Sequence, residues 1–257
     1  MAVTSPVSHR STVVALLLLT FVTGLADAVS ILILGHVFVA NMTGNVIFLG
    51  FWLAPRTRID LTAAAVALVT FVCATVASGR LIRLFGERTR SWIMTALSME
   101  AAMLVALSVV NGAGILRYDN DTKLITIGVL GVIFGLQHSS ARQFGIQELS
   151  TTVLTSTIVG FGVDSRLAGG TGARGLLRFG AVATMFAGAF VGATMSRYVV
   201  APIFAVAAAV VVVSLLIFRF GPPGATAPGP PESMPESMPE SIAPQPGRGS
   251  LPGPPSG

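Results

Sequence analysis

Apolar residues run almost without a break from Val13 to Ala54, and the polar positions inside that run come in clusters. A helix crosses the roughly 30 Å hydrocarbon core of a bilayer with about 20 apolar residues. By that measure Val13–Gly35, Leu61–Gly79, Trp92–Val110, Leu124–Gly145, Phe179–Met195 and Tyr198–Phe218 are predicted spans. Trp92 stands at the start of its span, where it is placed as an interface anchor. Two other apolar stretches are too short for ordinary spans. Val37–Ala54 is broken at Asn41-Met42-Thr43-Gly44-Asn45, and Leu149–Val163 is short and rich in threonine. The pattern predicts an all-α membrane protein with about six transmembrane helices and two short, broken or re-entrant helical segments.

The polar clusters mark candidate sites, because hydrocarbon cannot satisfy a polar side chain. Thr20, Thr23, Asp27 and Ser30 follow one another at helical spacing and form one stripe of the first span. Hydroxyls alone would read as glue between helices. Asp27 adds a carboxylate, which is either part of a site or a structural partner, for example to an arginine. Asn41, Thr43, Gly44 and Asn45 stand where a short helix would begin. They either cap that helix or leave its positive end open to a ligand. The matching place in the second short segment is Ser150-Thr151-Thr152, with Thr155 one turn in. Glu100 lies near the middle of an otherwise apolar span, as a proton carrier or as a protonated hydrogen-bonding group. Gln137 and Arg142 lead a second polar patch, within which Arg142 has Glu148, Asp27 or a substrate anion as possible partners. His36 and His138 stand apart, without metal-ligand spacing.

The order of segment types repeats. A long span with a polar second half, a short interrupted segment and two ordinary spans occur in 13–110 and again in 124–218. Gly24-Leu25 before Asp27 resembles Gly135-Leu136 before Gln137, and Thr43-Gly44-Asn45 resembles Thr155-Ser156-Thr157. If the short segments dip in without crossing, each half crosses three times and the second half is inverted relative to the first. Such paired short segments point to a transporter site. The basic residues favour that topology. With six crossings, Arg10, Arg80, Arg83, Arg88, Arg90, Arg142, Arg166, Arg174, Arg178, Arg219 and Arg248 share one side. Arg56, Arg58, Arg117, Lys123 and Arg197 take the other, a division of 11 to 5. Eight crossings give 10 to 6 and put the four-arginine loop on the poorer side. The N- and C-termini are therefore expected in the cytoplasm, and the protein in the cytoplasmic (inner) membrane.

Composition sharpens the class. Of 257 residues 53% are hydrophobic and 11% charged, against about 25% charged in a soluble domain. Mean hydropathy is +0.79. The net charge of +5 comes from arginines between apolar segments, which fits loops beside anionic lipid and not nucleic acid. Cys73 is the only cysteine, so an internal disulfide or a cysteine metal cluster is excluded. No cofactor is implied. Ala26-Asp27-Ala28 has the form of a signal-peptide cleavage site, but the apolar run continues past it, and a retained first helix explains more. Residues 1–12 form a short leading segment, 13–220 the membrane domain, and 221–257 a tail of Pro-Glu-Ser repeats expected to be disordered.

The first apolar run carries Gly24, Asp27, Ala28, Gly35, Val37, Phe38, Met42, Thr43, Gly44, Asn45, Leu49 and Gly50. The second polar patch carries Gly135, Leu136, Gln137, Arg142, Thr151, Thr152, Thr155 and Thr157. Together they resemble the two signatures of the YoaK-like family of multi-spanning membrane proteins of unknown function. His138 stands where that family usually has Asn, and Ser156 where it usually has Gly. The resemblance covers roughly 13–218 and implies a protein of the cytoplasmic membrane, without naming a substrate.

Three functions fit these features in decreasing order. The first is a secondary transporter of a small solute, coupled to protons or a cation through Asp27 and Glu100. The second is a scaffold or sensor that uses its tail. The third is an intramembrane enzyme, for which neither a Gly-x-Ser-x-Gly turn nor a complete catalytic set is present.

Overall fold

A computed structural model describes residues 6–53, 60–86, 88–116, 118, 121–144, 154–172 and 174–223. Thr151, Thr152 and the tail from 224 onward lie outside the described residues, so the expectations for them stay as stated. Eight α-helices occur among the described residues: α1 His9–Leu32, α2 Met42–Gly50, α3 Leu61–Phe85, α4 Thr89–Gly112, α5 Lys123–Arg142, α6 Leu154–Val163, α7 Gly175–Met195 and α8 Ala201–Phe220. Six of these are long and apolar enough to cross a membrane. Helix α2, with nine residues, is about 13 Å long at 1.5 Å per residue and cannot cross. No strand occurs among the described residues; Val7 and Pro223 form an isolated antiparallel bridge.

Helix starts follow capping chemistry. The Ser8 hydroxyl accepts the Ser11 N–H at 3.3 Å, so α1 begins at His9, before the apolar run itself. The Asp60 carboxylate accepts the Ala63 N–H at 3.0 Å and starts α3. Helix α1 ends where Gly35 and His36 both take positive φ, 125° and 60°, and turn the chain back. Trp92 is not at an exposed interface. It is buried at 1% exposure, with its ring edge-on to Phe85.

A few ties fix which helix ends lie together. The Ser8 N–H donates to the Pro222 carbonyl at 2.8 Å, and an Arg90 Nη2 donates to the Arg219 carbonyl. The start of α1, the start of α4 and the end of α8 therefore share one side. On the other side, the Asp60 N–H donates to the Gly35 carbonyl at 3.4 Å, Lys123 Nζ pairs with Asp60 Oδ2 at 2.7 Å, and the Ser108 hydroxyl donates to the Ala201 carbonyl at 2.8 Å. The chain between Gly35 and Asp60 thus leaves and returns on the same side, and α2 sits in a re-entrant segment.

Packing runs in pairs. Helix α1 lies along α7, α3 along α5, and α4 along α8; α8 also packs on α1, and α5 on α4. The short helices take equivalent places, α2 on α3 and α6 on α7. The two closest seams depend on glycine, as membrane helices pack through small residues. A Cβ at Gly24, Gly188 or Gly192 would overlap backbone atoms across the α1–α7 seam. A Cβ at Gly131 or Gly135 would collide with Thr70 or with Ala74 and the Phe71 carbonyl of α3.

Buried positions repeat along the chain. Each of the ten buried residues of α5 falls 111 positions after a buried residue of α1, as Gly135 follows Gly24. Each of the seven buried residues of α8 falls 107 positions after a buried residue of α4, as Ala207 follows Glu100. The three of α7 follow Ala67, Ala74 and Ser78 of α3 by 114. In each short helix one described residue is buried, Asn45 in α2 and Thr157 in α6.

Candidate functional site

The polar stripe of α1 is wholly inside the bundle: Thr20, Thr23, Asp27 and Ser30 are all buried. Thr20 and Thr23 donate to the carbonyls one turn earlier, Leu16 at 2.9 Å and Leu19 at 3.0 Å. Gln137 of α5 reaches into this stripe. Its Nε2 donates to the Leu19 carbonyl at 3.2 Å and to the Thr23 hydroxyl at 3.1 Å. Its Oε1 is buried with no partner among the described residues, and neither has the Ser30 hydroxyl, in a residue with 0% exposure. Gln137 therefore brings spare hydrogen-bonding capacity to the α1–α5 crossing, and Ser30 brings it to the stripe two turns further along α1.

Asp27 faces the re-entrant segment. Its Oδ1 accepts the N–H groups of Val39 and Ala40 at 2.9 Å each, and its Oδ2 accepts the Asn41 side-chain amide. The carboxylate thus satisfies the backbone donors of the two residues just ahead of the α2 N-cap and the side chain of the N-cap residue itself. Arg142 is exposed at the end of α5, and among the described residues no arginine pairs with Asp27. Asn41 spends its side chain on Asp27 and makes no side-chain cap for α2.

Asn45 performs the second clamp. The Phe38 N–H donates to its Oδ1 at 2.9 Å, and its Nδ2 donates to the Phe38 carbonyl at 2.6 Å. Gly44 lets the Phe38 ring lie against the helix, where a Cβ would overlap it. Thr43 is exposed on the opposite face. In the second short helix Thr155 is exposed, while Thr157 is the buried residue. Thr152 lies outside the described residues.

Glu100 is set apart from these groups. It is buried at 1% exposure on the α4 face that packs on α8, and its Oε1 has no hydrogen-bond partner among the described residues. His138 is turned to α3, its ring edge-on to Phe71 and its Nδ1 2.8 Å from the Phe134 carbonyl.

The structure thus gathers Asp27, Asn41, Gly44 and Asn45 around the re-entrant loop and Gln137 with Thr23 at the α1–α5 crossing. It holds Glu100 apart on the α4–α8 seam and leaves Thr43, Thr155 and Arg142 on exposed faces. Phe38 and Thr157 were named in the family resemblance but not among the candidate site residues. Phe38 contributes backbone groups, which no residue type reveals. Thr157 was recoverable from the Thr43-Gly44-Asn45 and Thr155-Ser156-Thr157 correspondence, which pairs it with Asn45.

A family model described as "Protein of unknown function (DUF1275)" matches residues 15–217, the whole of the helical bundle apart from its margins. The chain belongs to the DUF1275 family. A relative within reach of this DUF1275 protein is the "UPF0700 transmembrane protein YoaK" of Bacillus subtilis (strain 168), 31% identical over 153 residues. That alignment covers 59% of this chain and 65% of the relative, just under two thirds of its length. No solved structure matches. The six apolar helices, together with a relative named as a transmembrane protein, make this DUF1275 chain a multi-pass membrane protein.

Proposed function

We propose that the protein is a secondary transporter of a small polar solute in the cytoplasmic membrane, coupled to a proton or cation and without catalytic activity. The observation that carries this reading is the pairing of helices. Exchanging α1 with α5, α2 with α6, α3 with α7 and α4 with α8 maps the main contacts onto themselves. The same exchange maps the buried positions of the second half onto those of the first. Three crossings per half make this an inverted repeat, and transporters of that build bind solute at the repeat interface near the midplane. Here two bodies interleave, α1 with α6, α7 and α8, and α2 with α3, α4 and α5. They meet along α4–α8 and at the α1–α5 crossing, where Gln137 keeps an Oε1 without a partner among the described residues for a solute, with the equally unpartnered Ser30 hydroxyl two turns further along α1. Asp27 and Asn45 hold the re-entrant loop that lines one side. The arginine-rich side, which carries both ends of the bundle, is the cytoplasmic one.

The test is reconstitution into liposomes and measurement of charge movement as amino acids, sugars, short organic acids and small amines are applied under a pH or sodium gradient. A solute-dependent current that Gln137→Leu abolishes supports the reading. It should also survive truncation after Phe220, as a tail-based scaffold role would not require. Absence of any solute-dependent flux from folded, correctly inserted protein sinks it.

A further inference from the structure

Glu100 lies at the middle of the α4–α8 seam. The two ends of that seam are fixed by the Arg90–Arg219 and Ser108–Ala201 hydrogen bonds. Glu100 is about 15 Å from the first tie and about 12 Å from the second, at 1.5 Å per residue. Counting the same steps along α8, ten back from Arg219 and eight on from Ala201, reaches Ala209 from both ends, next to the buried Ala207 and Ala208. Ala207 is also the counterpart of Glu100 in the repeat of buried positions. Glu100 therefore sits within about a residue of the level at which the two halves exchange and near the middle of its span, buried and with its Oε1 unpartnered among the described residues.

Nothing on the neighbouring helices compensates it. The titratable groups of α8 reduce to Arg219 at its end. Those of α5 are Lys123 at its start, His138, which faces α3, and Arg142 at its end. Those of α3 are Cys73, which is exposed, and Arg80 and Arg83, near its far end. A bare carboxylate in such a place is costly. A metal cation would require several oxygen ligands, and the residues buried beside Glu100 on its own helix face are Ala96, Leu97, Ala101 and Leu104. A proton needs no second ligand. The seam is also the larger contact between the two bodies, so a relative movement of the two would bring water to Glu100.

We propose that Glu100 is the proton-binding site of the protein, protonated while the α4–α8 seam is closed and deprotonated when it opens. This rests on the transport reading and names its coupling ion as the proton. Asp27, with its oxygens engaged by the re-entrant loop, is then a positioning residue.

The experiment is infrared difference spectroscopy of full-length protein in liposomes between acid and alkaline buffer, in H2O and D2O. It compares the unmodified chain with Glu100→Gln and Glu100→Asp. The expected result is a protonated-carboxyl C=O band at acid pH that disappears at alkaline pH and shifts in D2O. Glu100→Gln should lack it and Glu100→Asp should keep it at a displaced frequency. A spectrum in which Glu100→Gln changes nothing overturns the proposal, and so does a Glu100 band that neither titrates nor exchanges. A titrating band in vesicles that move no solute would leave the proton site standing and sink transport alone. Solute currents that persist with a silent Glu100 would do the reverse.

Discussion

Asn45 and Phe38 bind each other reciprocally, the Phe38 N–H to Asn45 Oδ1 at 2.9 Å and Asn45 Nδ2 to the Phe38 carbonyl at 2.6 Å. One amide side chain thereby satisfies both backbone groups of a residue that is in neither helix. Inside a membrane protein those groups have few other partners. Asn45→Ala leaves both unpaired, and the cost is about 2–4 kcal/mol for a buried donor and acceptor left unsatisfied. Asn45→Asp keeps the acceptor but places a carboxylate oxygen against the Phe38 carbonyl, and should be as damaging. Thermal unfolding in detergent measures both. Variants that melt with the unmodified protein would show that this pair does not hold the loop.

Gly24 and Gly135 occupy matching places in the two halves, each where a helix of one half meets a helix of the other. Alanine gains about 1 kcal/mol of helix propensity over glycine. At Gly24 the added Cβ overlaps the Met185 carbonyl, and at Gly135 it overlaps Ala74 and the Phe71 carbonyl. Overpacking against backbone costs about 1–3 kcal/mol or more, so the overlap wins. Gly24→Val and Gly135→Val should lower the melting temperature to a similar degree. Gly50→Ala, at the end of α2 and with nothing within 4 Å of its Cβ, should not lower it. A strong effect at one seam and none at the other would argue against equivalent halves.

Much of this architecture is legible in the chain, because membrane spans declare themselves by length and hydropathy. The interruption of Val37–Ala54 marked it as broken or re-entrant and the distribution of arginines favoured the second, while the Gly24/Gly135 correspondence was visible as two residues of identity. The ends were less clear. Helix α1 starts at His9 because a serine caps it, and polar capping residues blur a hydropathy boundary. Trp92 had the sequence position of an interface anchor, yet neighbouring Phe85 and the bundle bury it; which way one aromatic faces is a tertiary matter. Asp27 was conspicuous as a carboxylate in an apolar run. Its partners were not, because two of them are backbone N–H groups twelve and thirteen residues away.

Outside the spans, Asp60 responds to pH in a defined direction. Burial raises its pKa, but the hydrogen bond and charge of Lys123 and the N–H groups of α3 outweigh that and hold it below the ordinary aspartate value. A lowered folded-state pKa gives stability that is present above the unfolded pKa of about 3.9 and is lost as pH falls through the folded value. The protein should therefore lose stability below about pH 4 in part through this pair. Asp60→Asn keeps an N-cap but abolishes the ion pair, so it should be slightly less stable at neutral pH and flatten the acid limb. Salt should narrow the difference, because both partners are partly exposed. Parallel melting curves from pH 3 to 7 check this, and an acid limb unchanged in Asp60→Asn would remove Asp60 from the account.

The central claim is that the α1–α5 crossing opens in turn to each side of the membrane. Thr23 is buried there at 0% exposure, hydrogen-bonded by Gln137. The most direct measurement is reaction of Thr23→Cys, in a Cys73→Ser background, with a membrane-impermeant thiol reagent in right-side-out and inside-out vesicles. The account predicts modification from both sides. Modification from one side alone, or from neither while the protein stays folded, would contradict it.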